Sequence, residues 1–288
     1  MHATKLNLEE TLPLTCTRAG TCCHGNLVLL NPWELFCLAK EKKITTREFR
    51  DNYTEFGGTK LLFDGKTGWK DKKACSQYVE NFGCSVHLGR PLACRLFPIG
   101  RQIRNNEIQY IYEGDKFPCL DGCPEVIELP QLSVGEYLQG QETEHYEKAQ
   151  DQYLELMQNL ADMAFELFLD TGLAESGDTK TLPLWKVMGN EPPEVLANRI
   201  GNEWIDCLMI PEISDDCMDS IAFVQKHTEL LQIKAQEKFG TLNTNQEFYE
   251  ASVLIMGVAL HLAQGIGANR NGLAEQWSQN AQDFFKNK

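Results

Sequence analysis

The stretch Cys16-Thr17-Arg18-Ala19-Gly20-Thr21-Cys22-Cys23-His24-Gly25 places three thiols within eight residues, and the reading of the whole chain turns on it. Two more groups follow at short spacing, Cys75-x8-Cys84-x9-Cys94 and Cys119-x3-Cys123. Thiolates are soft, strongly donating ligands, and loop-forming spacings between them suit zinc or an iron-sulfur cluster better than they suit packing. A bound metal takes about four thiolate or imidazole donors at one centre, and local pairs lower the loop-closure cost of assembling them. The eight grouped cysteines are enough for two such sites. None of the spacings makes a pair of CxxC knuckles. The doublet Cys22-Cys23 and the irregular intervals tilt the choice toward an iron-sulfur centre, 4Fe-4S favoured, with zinc next. The inner ligand set is expected to be Cys16, Cys22, Cys23, Cys84 and Cys94, with Cys75, Cys119 and Cys123 completing it or forming a second site.

The competing explanation of so many cysteines is a disulfide framework, which needs an oxidising compartment. The residues before Cys22 hold no apolar run of the kind a signal peptide carries, and no segment approaches the ~20 apolar residues of a membrane span. The total of 11 cysteines is odd, which fits complete pairing poorly. A cytoplasmic protein with reduced thiols is the expectation, with no membrane partner.

Charge divides the chain. Residues 1–128 carry 17 Lys and Arg against 16 Asp and Glu, whereas residues 129–288 carry 10 against 25. All of the excess acid behind the net charge of -14 therefore sits in the second part. A pI near 4.9 excludes a general nucleic-acid binder, which needs a basic footprint. Lys40, Lys42, Lys43, Arg47 and Arg50 are interleaved with Glu41, Glu48 and Asp51, the pattern of a solvated helix face. A basic protein, as partner or substrate, would suit the acidic part.

Periodicity supplies the rest of the organisation. Tyr146, Ala149, Tyr153, Met157, Leu160, Ala164, Leu167 and Phe168 form one apolar stripe at 3.6-residue spacing, with Gly172 as a stop. Leu196, Ile200, Trp204 and Leu208 form a second stripe after Pro192-Pro193. Ser214-Asp215-Asp216 reads as the start of a third helix running to Phe239-Gly240, Asn245 to Gly265 as a fourth, and Leu273 to Phe285 as a last short one. The first part is mixed: a strand over Asn26–Leu30, helices over Pro32–Lys42 and Thr45–Tyr53, and a β-hairpin of Arg101–Arg104 with Ile108–Tyr112. The fold class that follows is α+β, an irregular cysteine-rich metal-binding module over 1–128 and a mostly α-helical bundle over 129–288.

Other motifs carry less. Gly65-Lys66-Thr67 ends like a phosphate-binding loop, but the glycine required five positions earlier is Lys60. Cys37, Cys207 and Cys217 sit among apolar residues and read as small core residues. His24 is a candidate alternate ligand beside Cys23, or a hydrogen-bond donor that supports the ligands. Cys84 with His87 is the one nucleophile-and-base pair on offer, and no third orienting residue accompanies it. Arg90 and Arg95 are placed to offset the negative charge of a thiolate centre.

The opening cysteine string, followed by Asn31-Pro32-Trp33-Glu34-Leu35 and by Arg90-Pro91-Leu92-Ala93-Cys94-Arg95-Leu96-Phe97-Pro98, resembles the YkgJ-type cysteine-cluster family. That family is described as a zinc- or iron-chelating domain, and its usual opening motif is CxxCGxCC. Ala19 stands here where the motif has its second cysteine, which leaves one thiol fewer. The similarity covers roughly residues 14–125. Flagellin lysine N-methylases resemble the same pattern more distantly, and that resemblance implies an S-adenosylmethionine-dependent reaction beside a four-iron cluster. Whether the chain is an enzyme stays open at this point.

Overall fold

The computed structural model describes residues 4–13, 16, 18, 20–104, 107–112, 131–172, 180–214 and 219–286. The chain is α+β and folds into two compact units that exchange segments along the sequence. The first comprises 1–28, 36–53 and 61–147; the second comprises 29–35, 54–60 and 148–288. The sequence changes character near residue 128, whereas the first unit runs on to Glu147 and cedes two short stretches to the second.

In the first unit the regular elements are short. A three-stranded antiparallel sheet sets β1 (Thr4–Leu6) beside one strand of a hairpin, and a two-residue strand β2 (Thr11–Leu12) lies further on. Helix α1 (Pro32–Lys42), of which residues 36–42 belong to this unit, and α2 (Thr46–Tyr53) follow, then the strand pair β3 (Tyr78–Val79) and β4 (Gly83–Cys84), helix α3 (Leu92–Leu96), and the hairpin of β5 (Gly100–Arg104) with β6 (Glu107–Tyr112). Strand β7 (Leu132–Ser133) pairs with β2 and leads into α4 (Val134–Gly140). Helix α1 begins where its proline predicts: Pro32 has no N–H to leave unpaired, and Asn31 and Glu34 exchange backbone-to-side-chain hydrogen bonds of 2.9 and 3.0 Å around the first turn. Helix α2 starts the same way, Thr45 and Glu48 bonding reciprocally at 3.1 and 2.8 Å. The hairpin pairs Ile103 with Ile108 and Gln102 with Gln109.

Asn26–Leu30 is not a strand. It makes one isolated bridge, Leu29 with Lys60, and single hydrogen bonds such as Leu61 N–H to Val28 O at 2.9 Å, too few to extend into a ladder. The basic residues near α1 and α2 are engaged locally: Lys42 donates to Gln77 Oε1 at 2.9 Å and lies over the Tyr53 ring.

The second unit is a set of apolar helices with a continuous core. It takes residues 148–170 of α5 (Thr143–Asp170), then α6 (Thr181–Asn190), α7 (Pro193–Ile200), α8 (Asn202–Met209), α9 (Ser220–Phe239), α10 (Asn245–Gly265) and α11 (Arg270–Lys286). Along α5 the stripe Ala149, Tyr153, Met157, Leu160, Ala164 and Phe168 is buried, and Gly172 follows in the left-handed region at φ 67°. The second stripe is also buried, but it belongs to two helices. Gly201, at φ 83° and ψ 158°, cannot continue a helix and breaks α7 from α8. Helix α9 starts later than Ser214, at Ser220, where the Asp219 carboxylate accepts from the N–H groups of Ile221 and Ala222. Thr244 and Glu247 form a full capping box ahead of α10. Helices α4 and α6 are additions to the sequence reading: α4 is only seven residues long, and α6 carries a proline two positions after its start.

Aromatic contacts lock this core. Phe168 meets Trp185 edge-on at 5.8 Å, Trp204 stacks on Phe239 at 5.6 Å, and Trp33 meets Phe223 at 5.1 Å. Some of the buried polar groups are matched. The Ser252 hydroxyl donates to Ala164 O at 2.7 Å, and His227 lies 3.0 Å from the Tyr153 hydroxyl and 3.1 Å from Cys207 O. Among the described residues no helix is long and apolar enough to cross a membrane.

Candidate metal centre

A tight turn aims the first thiols. Gly20 sits at φ 80°, and a Cβ there would fall 2.3 Å from the Tyr78 ring, so only glycine permits the turn. The Cys23 N–H closes it by donating to Gly20 O at 2.9 Å, and the Asn26 amide donates to Cys22 O at 2.7 Å. The turn is tied to the next cysteine by a backbone hydrogen bond, Cys75 N–H to Cys23 O at 2.7 Å. Cys84 is brought back by the β3-β4 pairing, which sets it opposite Tyr78. Cys94 is delivered by the first turn of α3.

These elements bring six of the eight grouped cysteines to one cavity of about 50 Å³: Cys16, Cys22, Cys23, Cys75, Cys84 and Cys94. Val28, Leu38, Leu61, Phe63 and Val86 supply its apolar wall, and Arg18, His87 and Arg90 complete the lining. Cys75 is buried at 7% exposure and belongs with the inner sulfurs, whereas Cys16 lies at the exposed rim. Cys119, Cys123 and Cys217 lie outside the described residues. No disulfide joins the described cysteines.

The electrostatics are those of sulfurs crowded without a counter-ion. Burial, opposed by the Gln77 N–H, pushes the Cys75 thiol up to about 12, and the neighbouring Cys84 and Cys22 add to the rise. Burial likewise raises Cys84, with Arg90 and Arg18 pulling the other way. Cys23 is raised because its S–H donates to Cys22, with burial and the sulfurs of Cys22, Cys84 and Cys94 adding to it. Cys22 is lowered by that same hydrogen bond and, more weakly, by Arg90. Cys23, Cys75 and Cys84 therefore resist becoming thiolates, and a cation beside them would reverse that balance.

Arg90 and Arg95 have different jobs. Arg90 lines the cavity; its Nη1 donates to His87 O at 2.6 Å and lies 3.0 Å from His87 Nδ1, while Nη2 donates to Gln141 Oε1. Arg95, at 3% exposure, does not reach the cavity. Its Nε donates to Arg90 O at 2.9 Å, its Nη1 to Gln141 O at 2.6 Å and its Nη2 to Leu88 O, and its guanidinium stacks on the Tyr146 ring at 4.1 Å. It braces the segment that carries Arg90.

The two histidines near the cysteines take different places. His24 does not line the thiol cavity; its Nδ1 donates to Gly20 O at 2.8 Å, so it pins the turn from the far side, beside a separate cleft of about 420 Å³. His87 faces Cys16, 3.5 Å from its Sγ, rather than Cys84. Burial, then the charges of Arg90, Arg18 and Arg95, hold the His87 imidazolium down to about 4, so the ring is neutral at pH 7. Arg18 beside the cavity lies inside the opening motif but was not singled out from sequence. The braces Gln141 and Tyr146 come from about 50 residues downstream, and nothing in their local sequence marks them.

Residues 15–113, the segment that builds this cavity, match the family model CxxCxxCC, described as "Putative zinc- or iron-chelating domain". This segment is similar to that cysteine-cluster family. No curated protein and no solved structure matches the chain. The family description agrees with the donor chemistry: six thiols on one cavity with two guanidinium groups at its lining are suited to a soft or borderline cation. Among the described residues no three His, Cys, Asp or Glu side chains already stand together as a metal would hold them. The structure supplies the donors and the cavity.

Proposed function

We propose that the chain is a cytosolic metal-binding protein whose cysteine unit holds an iron-sulfur cluster, with zinc as the second choice. The observation that carries this reading is the convergence of six cysteines from four separate segments on one cavity. A zinc ion and an iron-sulfur cluster each take four protein ligands, so six sulfurs supply enough for either, and the Cys22-Cys23 doublet with its irregular spacing tilts the choice to the cluster. Such a centre supplies electron transfer or redox sensing when bound, and zinc supplies fold stability alone. The chain's own residues do the rest. Cys22, Cys23, Cys75, Cys84 and Cys94 present inner donors, Cys16 presents an outer one, and Arg90 and Arg18 offset the negative charge. Reduced, buried thiols fit a reducing compartment, which supports the cytosolic assignment. The acidic second part, with 25 Asp and Glu against 10 Lys and Arg over 129–288, supports a basic protein as partner.

The test is metal and acid-labile sulfide content of protein purified without oxygen, with an absorption spectrum of the same sample. Iron with matching sulfide and a thiolate-to-iron band supports the cluster. Zinc without colour moves the assignment to a structural site, and protein without metal sinks the reading.

A further inference from the structure

We propose that His87 is a fixed N–H donor to Cys16 and not a ligand of the metal centre, so that the centre is held by cysteines alone; this rests on the metal-binding reading above. Arg90 decides the matter. A guanidinium carries only donors and stays protonated in proteins. With Arg90 Nη1 at 3.0 Å from His87 Nδ1, that ring nitrogen has to be the acceptor. The neutral imidazole then carries its hydrogen on Nε2, the atom that lies 3.5 Å from Cys16 Sγ. A nitrogen that holds a hydrogen has no lone pair to give a metal.

Ligation through Nε2 would need the hydrogen moved to Nδ1, where it would meet the Arg90 N–H donor to donor. Arg90 is not placed to turn aside. The same Nη1 donates to His87 O at 2.6 Å, Nη2 donates to Gln141 Oε1, and Arg90 O is held at 2.9 Å by the buried Arg95. Ligation through Nδ1 is blocked by the guanidinium itself. The usual arrangement at a metal-bound histidine is the opposite, its second nitrogen donating to a carboxylate or carbonyl. Here the chain supplies a cation at that position. An N–H directed at a ligating sulfur draws electron density from it, and such bonds are among the factors that set the potential of a cluster. His87 is therefore a positioning residue for the outermost sulfur.

The experiment reads the tautomer directly. Two-bond ¹H–¹⁵N spectra of the imidazoles are recorded on the full chain, metal-free and after loading with zinc as the probe ion, and His87 is assigned by the signal lost in His87→Gln. The expected result is the Nε2–H tautomer in both states, with His87→Gln keeping the zinc-to-protein ratio of the parent, since the amide of glutamine can also donate. An Nδ1–H tautomer, a metal-bound Nε2 shift on loading, or loss of zinc from His87→Gln overturns the proposal. If His87→Gln fails to fold, Arg90→Gln assigns the ring instead, because the His87 resonance is the one that responds. A chain that takes up no zinc, or that contains no metal when purified without oxygen, counts against the metal-binding reading. The metal-free tautomer still decides the hydrogen bond, so the two failures are distinguishable.

Discussion

The cysteine unit and the helical unit solve the problem of folding in different ways. The helical unit buries long apolar stripes, with Tyr153, Phe168, Trp185 and Met188 each at 1% exposure or less, and closes some of its buried polar groups by hydrogen bonds such as Ser252 to Ala164 O. The cysteine unit is made of turns, strands of two to six residues and short helices, and at its centre it buries thiols that resist ionisation, Cys75 among them. A core of hydrocarbon is stable because water is excluded from it. A core of sulfur gains its stability from a cation that it must first bind. The two units should accordingly respond to different perturbations, and the following outcomes are ordered by the size of the effect.

The largest is loss of the metal. Cys75→Ser, which removes a sulfur from the innermost part of the cavity, is expected to abolish stoichiometric metal, while Cys207→Ser in the helical unit leaves the content unchanged. Elemental analysis of both proteins checks this. Full occupancy in Cys75→Ser would break the comparison, since the thiol cavity would then not be where metal is held.

Next comes the hydrocarbon core. Phe168→Ala removes a fully buried ring from beside Trp185 and is expected to cost about 3–5 kcal/mol. Urea unfolding followed by circular dichroism measures it, and the metal content of the folded protein should stay at the parent value.

Acid should act on the helical unit at a comparable scale. Burial holds His227 down to about 4 and, with Arg270 adding to it, His261 down to about 3. Both are therefore neutral in the folded chain and charge near the ordinary 6.5 in the unfolded one. A depressed folded pKa means that stability is intact above 6.5 and is lost as pH falls toward the folded value. His227 alone accounts for about 3 kcal/mol between pH 6.5 and 4 at 1.36 kcal/mol per unit. His227→Gln should flatten this part of the stability curve. An unchanged slope in urea titrations would show that burial of this ring is not what acid acts on.

The smallest effect is at a helix start. Thr244→Ala opens the capping box of α10 and should cost about 1 kcal/mol. Thermal melts should show a drop of a few degrees with no change in metal content.

A separate outcome sharpens the functional side. Saturating S-adenosylmethionine stabilises a protein that binds it in its folded state, by RT ln(1 + [L]/Kd). A clear rise in melting temperature would favour a methylase-like activity next to the metal centre. No rise leaves a binding protein as the reading.

How much was legible in the chain differs between the same two regions. The helical stripes could be read because burial of one helix face repeats every 3.6 residues, and Asn245–Gly265 was found almost to the residue because Thr244 and Gly265 mark its ends. The break at Gly201 escaped because the apolar repeat runs on through it: Ile200 and Trp204 keep helical spacing across a residue whose ψ is 158°. In the cysteine unit the donors were legible by residue type and grouping. Their division into inner and outer was not, since Cys75 looked peripheral by sequence spacing and lies deep, whereas Cys16 looked central and lies at the rim.

The sequence alone determined that this chain is α+β, that its thiols are grouped for a soft cation, and that its excess acid lies with its helices. These are properties of residue type and local spacing, and no tertiary contact is needed to read them. Only the tertiary structure decided which sulfurs share a cavity, that Arg90 faces Nδ1 of His87, and that Gln141 and Arg95 hold Arg90 there. The cavity gathers sulfurs from separate segments, and Gln141 reaches Arg90 from 51 residues further along the chain. Hydrogen bonds and ligand sets act over a few ångströms of space, and separation along the sequence does not encode that distance.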